Sequence, residues 1–166
     1  MNAVEVESTG DRMKHDIEFA IRYALEHHSG QTDKSGRPYI EHLMKVYASS
    51  IEYFEYDYDI QIVAVLHDII EDTNITVEDL FVLFGNNVAT AVDYISRAKG
   101  ETYAQYIDRV CLNRIATAVK YLDILDHFNS AHRLPDGNED LIERYHKAYQ
   151  IVQRAMNNFE YKRCEK

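Results

Sequence analysis

The sequence predicts an all-α fold in a single domain, a bundle of about seven to nine helices, and three observations carry that expectation. Apolar residues recur at intervals of three and four along most of the chain, the spacing of one helix face, and alternating strand patterns are missing. Only 2 prolines and 6 glycines interrupt 166 residues, so the connections are short. A chain of that length buries roughly two-thirds of its unfolded surface, which is enough for a core without disulfide staples. The folded domain is expected over residues 13–161, with tails at 1–12 and 162–166.

Taken in order, the first helix runs from about Lys14 to His28, with Ile17, Ala20, Ile21, Ala24 and Leu25 as its apolar stripe. A polar loop, Ser29 to Pro38, follows. The second helix starts near Tyr39, with Pro38 at or just before its first turn as the fixed φ of proline favours, and it carries His42. Tyr53 to Asp59 reads as a surface turn. Ile60 to Asp72 is apolar on nearly every side and reads as a central, buried helix. Thr76-Val77-Glu78-Asp79 resembles a capping box and opens a short helix that stops at Gly85. Asn87 to Arg97 forms another helix, and Lys99-Gly100 breaks the chain. Glu101 to about His132 is too long for one average helix and divides near Asn113. After a turn at Asp136-Gly137, Glu139 to Tyr161 is a last amphipathic helix. Its inward face is Leu141, Ile142, Tyr145, Ala148, Tyr149, Val152 and Met156.

Charge and cysteine usage exclude several function classes. Lys and Arg number 18 against 28 Asp and Glu, a net charge of −10, which opposes a general nucleic-acid or anionic-membrane surface. A phosphorylated ligand then needs local cations or a metal. Cys111 and Cys164 are too few and too far apart for a disulfide framework or a thiolate zinc cluster. The start is acidic without an apolar core, and no window approaches the ~18 apolar residues of a membrane span. The expected setting is cytoplasmic.

The informative cluster is the charge of the central helix. His67, Asp68, Glu71 and Asp72 fall within six residues of an otherwise apolar element, and at 3.6 residues per turn they crowd one end of it. Unpaired, such groups repel and are costly to bury, whereas a divalent cation turns adjacent carboxylates into ligands. A frayed helix end with solvated acids is the alternative. His42 lies on the preceding helix, and an antiparallel pair joined by a short turn brings it opposite His67. Asp123 is a lone carboxylate in the apolar run Val119 to Leu125 and also needs a partner. Two imidazoles with two carboxylates form a mixed set suited to Mn²⁺ or Fe²⁺ and compatible with other first-row metals, with room left for water.

Three blocks carry a resemblance: His28-Ser29-Gly30-Gln31-Thr32-Asp33-Lys34-Ser35-Gly36-Arg37-Pro38-Tyr39-Ile40-Glu41-His42, then Val65-Leu66-His67-Asp68-Ile69-Ile70-Glu71-Asp72-Thr73, then Lys120-Tyr121-Leu122-Asp123. In this order they resemble the HD-type hydrolase domain of the RelA/SpoT family. Glu101 to Val110 is similar to the short, single-domain bacterial branch, and the remaining residues leave no room for a synthetase or regulatory domain. The resemblance implies an HD-domain helical bundle that binds one Mn²⁺ through His42, His67, Asp68 and Asp123. It implies that Glu71 and Asp72 position and activate the attacking water. It also implies a hydrolase that removes the 3′-pyrophosphate of a guanosine alarmone. Lys34, Arg97 and Lys120 are then candidates to neutralise phosphate oxygens, Tyr39 to line the pocket, and His127 to bond a sugar or phosphate. Arg37 and Lys99 read as solvated cations.

Two positions depart from the family pattern. Asp33-Lys34 stands where the alarmone hydrolases commonly carry Arg-Lys, and an acid cannot stack on a purine as a guanidinium can. His127 stands where they usually carry Asn. Two further readings therefore stay open, a hydrolase of another nucleotide phosphate and a catalytically silent nucleotide-binding domain. His15, His27, His132 and His146 lie away from clustered acids and receive no site role, and His28 supports the loop structurally. Oligomeric state is not legible.

Overall fold

The computed structural model describes residues 16–130 and 139–161, and among these the secondary structure is helical apart from one isolated β-bridge, Thr32 to Pro38. The expected tails at 1–12 and 162–166, the Asp136-Gly137 turn, His15, His132 and Cys164 lie outside the described residues. So does the expected start at Lys14. No helix among the described residues is long and apolar enough to cross a membrane.

Helix α1 spans Ile17–His27, started by the Asp16 side chain, which accepts from the Phe19 N–H at 3.1 Å. Its inner face is Ala20 and Ala24, both fully buried; Ile17 and Ile21 pack against the core edge. Leu25, expected in the stripe, is instead 47% exposed. The stripe is centred on the two alanines, and the residue after Ala24 is rotated ~100° away from that centre. The loop ends at Pro38, and helix α2 covers Ile40–Tyr53. The Tyr53–Asp59 stretch is only partly a surface turn. Tyr56 and Tyr58 are exposed, but Phe54 is buried against Tyr161, with ring centroids 5.2 Å apart.

Helix α3, Tyr58–Leu66, is buried from Ile60 through Leu66 without a break. It is the axis of the bundle, packed between α1, α2 and the two helices α6, Asn86–Ile95, and α8, Arg114–Ser130. Burying Ile62, Val63, Val65 and Leu66 contributes about 1.5–3 kcal/mol per side chain. That burial makes α3 a rigid support for whatever its C-terminal end carries.

The central helix does not continue to Asp72. It stops at Leu66, and a single turn, α4, resumes over Ile69–Asp72. The His67 ring lies 3.0 Å through Nδ1 from the Ala64 carbonyl oxygen, the group that would receive the Asp68 N–H in an unbroken helix. Asp68 then takes φ −102° and ψ 2°, the sparsely occupied region between helix and strand. A side chain has replaced one rung of the ladder.

The remaining helices follow the sequence reading closely. Thr76 and Asp79 form the reciprocal capping box of α5, Val77–Phe84, which ends at Gly85 with φ 83°. Thr102 and Gln105 form a second box for α7, Tyr103–Val110. The long segment divides at Asn113, whose Oδ1 accepts from the N–H groups of Ile115 and Ala116, each at 3.0 Å, to start α8. Helix α9, Glu139–Met156, stops five residues short of the expected Tyr161. Its Ala148, Val152 and Met156 are buried, and α9 packs on α8 and α7.

Candidate metal centre

Three separated elements converge at the C-terminal end of α3. Helix α2 presents His42, the α3–α4 junction presents His67 and Asp68, and α8 presents Asp123. The two imidazole Nε2 atoms are 3.3 Å apart. Asp68 Oδ2 lies 3.0 Å from His67 Nε2 and 3.8 Å from His42 Nε2. Asp123 Oδ1 lies 3.3 Å from His42 Nε2 and 4.0 Å from His67 Nε2. Donors bound about 2.1 Å from one ion sit about 3–3.5 Å apart, so this spacing fits a single small cation. His42, His67 and Asp68 form one group able to hold a metal, and His42, Asp123 and His127 form another.

The outer contacts point the same way. His42 Nδ1 is 2.8 Å from Asp126 Oδ2 and His67 Nδ1 is 3.0 Å from the Ala64 carbonyl oxygen, so both rings donate from Nδ1 and both turn Nε2 inward. Lys120 Nζ donates to Asp123 Oδ2 at 2.8 Å, which leaves Oδ1 facing the imidazoles. The Tyr39 hydroxyl donates to Asp68 Oδ2 at 2.5 Å. Asp126 was not among the residues singled out from the sequence. Its only signal is that it follows Asp123 by three residues and so shares that helix face.

Burial and charge work against each other here. Burial lowers the pKa of His42, but its hydrogen bonds to Asp123 and Asp126 prevail and raise it to about 10. His67 is likewise raised, burial being outweighed by the Asp68 charge. Burial pushes Asp68 up, and the neighbouring His67 outweighs it and holds the carboxyl low; for Asp123 burial is outweighed by Lys120. A cation and protons compete for the same Nε2 lone pairs. Glu71 and Asp72 are both raised, chiefly by burial.

A cavity of about 430 Å³ opens onto this cluster. Lys34, Tyr39, Arg97, Lys120 and His127 all line it, as does Glu71. Asp72 is not among the lining residues; the Gln31 side chain grips its carbonyl oxygen at 2.9 Å. Glu71 Oε1 accepts from the Arg97 N–H at 2.7 Å, while the Arg97 guanidinium is bonded to the Glu101 carbonyl oxygen. Lys120 is committed to Asp123. Arg37, read as a solvated cation, pairs with Asp33 at 3.3 Å and Glu41 at 3.6 Å. Sequence reasoning missed one wall altogether: Tyr103 and Arg144, with the Arg144 guanidinium 4.6 Å from the Tyr103 ring. Tyr145, assigned to packing by its spacing, also lines the cavity and stacks on His127, with centroids 4.7 Å apart.

Residues 20–125 match the HD domain family, a span that contains all four converging ligand candidates. The chain belongs to the HD domain family. Over 78 residues, 47% of this HD domain protein, it is 43% identical to the bifunctional (p)ppGpp synthase/hydrolase SpoT of Escherichia coli strain K12. Over 74 residues, 45% of the chain, it is 45% identical to the guanosine-3′,5′-bis(diphosphate) 3′-pyrophosphohydrolase of Haemophilus influenzae. The chain spans about a tenth of the length of these curated relatives, covering 11% of each. A solved structure of a metazoan ortholog of SpoT, described as hydrolysing ppGpp and playing a role in starvation responses, superposes with a TM-score of 0.68. That match covers 86% of this chain and 92% of the other at 21% identity, and it shows that the two share an all-α HD-domain fold.

Proposed function

We propose that this HD domain protein is a divalent-metal-dependent phosphohydrolase of the cytoplasm whose substrate is guanosine 3′,5′-bis(diphosphate). The observation that carries the reading is the convergence of His42, His67, Asp68 and Asp123, with both histidines turned by outer hydrogen bonds to offer Nε2. Relatives named as (p)ppGpp hydrolases supply the substrate class. His42, His67, Asp68 and Asp123 would hold Mn²⁺, which would supply a lowered pKa for bound water and a polarised phosphoryl oxygen.

The chain's own groups do the rest. Glu71, raised by burial, faces the cavity and takes a proton from water as the water oxygen bonds to the phosphorus on the 3′ oxygen. The bond from that phosphorus to the 3′ oxygen breaks, giving pyrophosphate and a 3′ hydroxyl once that oxygen takes up a proton. Asp72 works with Glu71 in positioning and activating the water, from beside the Tyr39 hydroxyl that donates to Asp68. Lys34 and Arg97 border the cavity and counter phosphate charge, Lys120 from its bond to Asp123 adds positive potential, and Tyr39 and His127 border the substrate.

One observation favours a second substrate reading, another nucleotide phosphate. Asp33 Oδ1 accepts from the Ser35 N–H, the Ser35 hydroxyl and the Arg37 N–H, at 2.8, 2.7 and 2.9 Å, so this residue organises its own loop. With Arg37 held by Asp33 and Glu41, the loop offers Lys34 but no uncommitted guanidinium to stack on a purine. Release of pyrophosphate from guanosine tetraphosphate, against phosphate release from NADPH and nucleoside monophosphates, with and without Mn²⁺, decides between them. Pyrophosphate from the tetraphosphate alone is expected. Turnover of the others alone shifts the substrate, and no turnover by metal-loaded protein overturns the hydrolase.

A further inference from the structure

Asp123 Oδ1 is approached by three imidazole nitrogens. Besides His42 and His67, His127 Nε2 lies 3.1 Å away, nearer than either. His127 sits four residues after Asp123 on α8, so the two side chains share one face of the helix. Its ring is layered between His42, at 5.2 Å and 24°, and Tyr145, at 4.7 Å and 7°. This three-ring stack holds the plane of His127 and points Nε2 at the oxygen that also faces the other two imidazoles.

From this geometry we propose that His127 is a further ligand of the bound cation, joining His42 and Asp123 on it. The inference rests on the metal-centre reading above. An Asp123–His127 ion pair alone is the competing account. His127, Asp123 and His42 each offer a donor atom within 4.8 Å of the others, which is the arrangement of a shared ion. Lys120 already answers the charge of Asp123 through Oδ2, so the carboxylate does not require a second cationic partner. His127 also lines the cavity.

The chemical consequence is selectivity. Carboxylate and water suit Mn²⁺, whereas added imidazole favours Fe²⁺, Co²⁺, Ni²⁺ and Zn²⁺. A third imidazole draws Co²⁺ or Zn²⁺ into the site more tightly relative to Mn²⁺.

The test loads the full chain and its His127→Asn variant with Mn²⁺ and counts coupled histidine nitrogens by pulsed electron paramagnetic resonance. Chelator competition with Co²⁺ is run in parallel, and a thermal melt confirms that the variant folds. Three coupled nitrogens in the parent and two in the variant are expected, with Co²⁺ affinity down by about tenfold or more. Two nitrogens in both proteins, with metal bound, overturn the His127 assignment and leave the metal centre standing. A parent protein that binds no cation, or His67→Ala binding as well as the parent, overturns the centre and the inference with it.

Discussion

The floor and the rim of the cavity are built in opposite ways. On the floor, His67 and Asp123 are 2% and 3% exposed, and each carries a second contact that sets which atom faces inward. At the rim, Lys34 is exposed, Arg37 is paired within its own loop, and the Arg97 guanidinium caps the Glu101 carbonyl. A floor held by α2, α3 and α8 costs no reorganisation when an ion arrives, which is the condition for tight, specific ligation. A rim made of surface cations gives attraction with little geometric choice. On the proposed function, the metal chemistry is built into the core, and substrate choice depends on a few groups around the opening.

The largest effect is expected on the floor. His67→Ala abolishes cation binding and turnover, and it removes the stabilisation that cation gives the folded state, about 2.7 kcal/mol at a hundredfold excess over Kd. Thermal melts with and without Mn²⁺ measure this; an unchanged metal-induced shift in the variant breaks the comparison. Next, Glu71→Gln is expected to lower kcat by about 10²–10⁴-fold while cation affinity stays near that of the parent, because its proposed role is to move a proton and not to ligate. Metal titration alongside turnover separates the two quantities.

Asp126→Asn sharpens the distinction between the ligands and the contacts that orient them. Metal affinity falls by about 10–100-fold, read by chelator competition, since His42 loses the carboxylate that fixes its tautomer. The pH dependence should follow from the same ring. Despite burial, Asp123 and Asp126 hold the His42 pKa up at about 10, so through the neutral range each cation displaces a proton. Affinity is expected to rise by at least about tenfold per pH unit below that value, more where the raised His67 also gives up a proton, and calorimetry in buffers of different ionisation enthalpy counts the protons released. In the cation-free protein the sign reverses. A histidine raised above its unfolded value stabilises fully below about pH 6.5, and that contribution fades as pH climbs towards 10. The smallest effect belongs to the rim: Lys34→Ala raises KM a few-fold, about 1 kcal/mol, and rising salt erases the difference. A loss in kcat there instead would move Lys34 from the rim to the reaction itself.

Much of the fold was legible because helix signals are local. The Thr76–Asp79 box, the stop at Gly85 and the division at Asn113 each depend on residues within a turn of one another, and the structure shows all three. The gathering of His42, His67, Asp68 and Asp123 was reachable in outline, since charged groups on apolar helices have to find partners. The break between Leu66 and Ile69 was not, because local periodicity favours continuing the helix and the contact made at the break, the His67 ring on the Ala64 carbonyl, leaves no mark in that periodicity. Tyr145 shows the same limit from the other side. Its spacing is that of a core residue, and the bundle leaves that face of α9 at the cavity wall.

By itself the sequence determined an all-α chain, its caps and stops, and the short list of side chains too polar for their surroundings. Only tertiary structure decided which atoms of those side chains meet. That choice includes the inward Nε2 of His42, fixed by Asp126 from 84 residues away, and the Oδ1 of Asp123, left available by Lys120. It includes Asp33, whose Oδ1 is taken up by N–H groups of its own loop. The physical reason is range: helix formation is governed by neighbours three and four residues apart, whereas a coordination sphere is a property of three helices packed against one another.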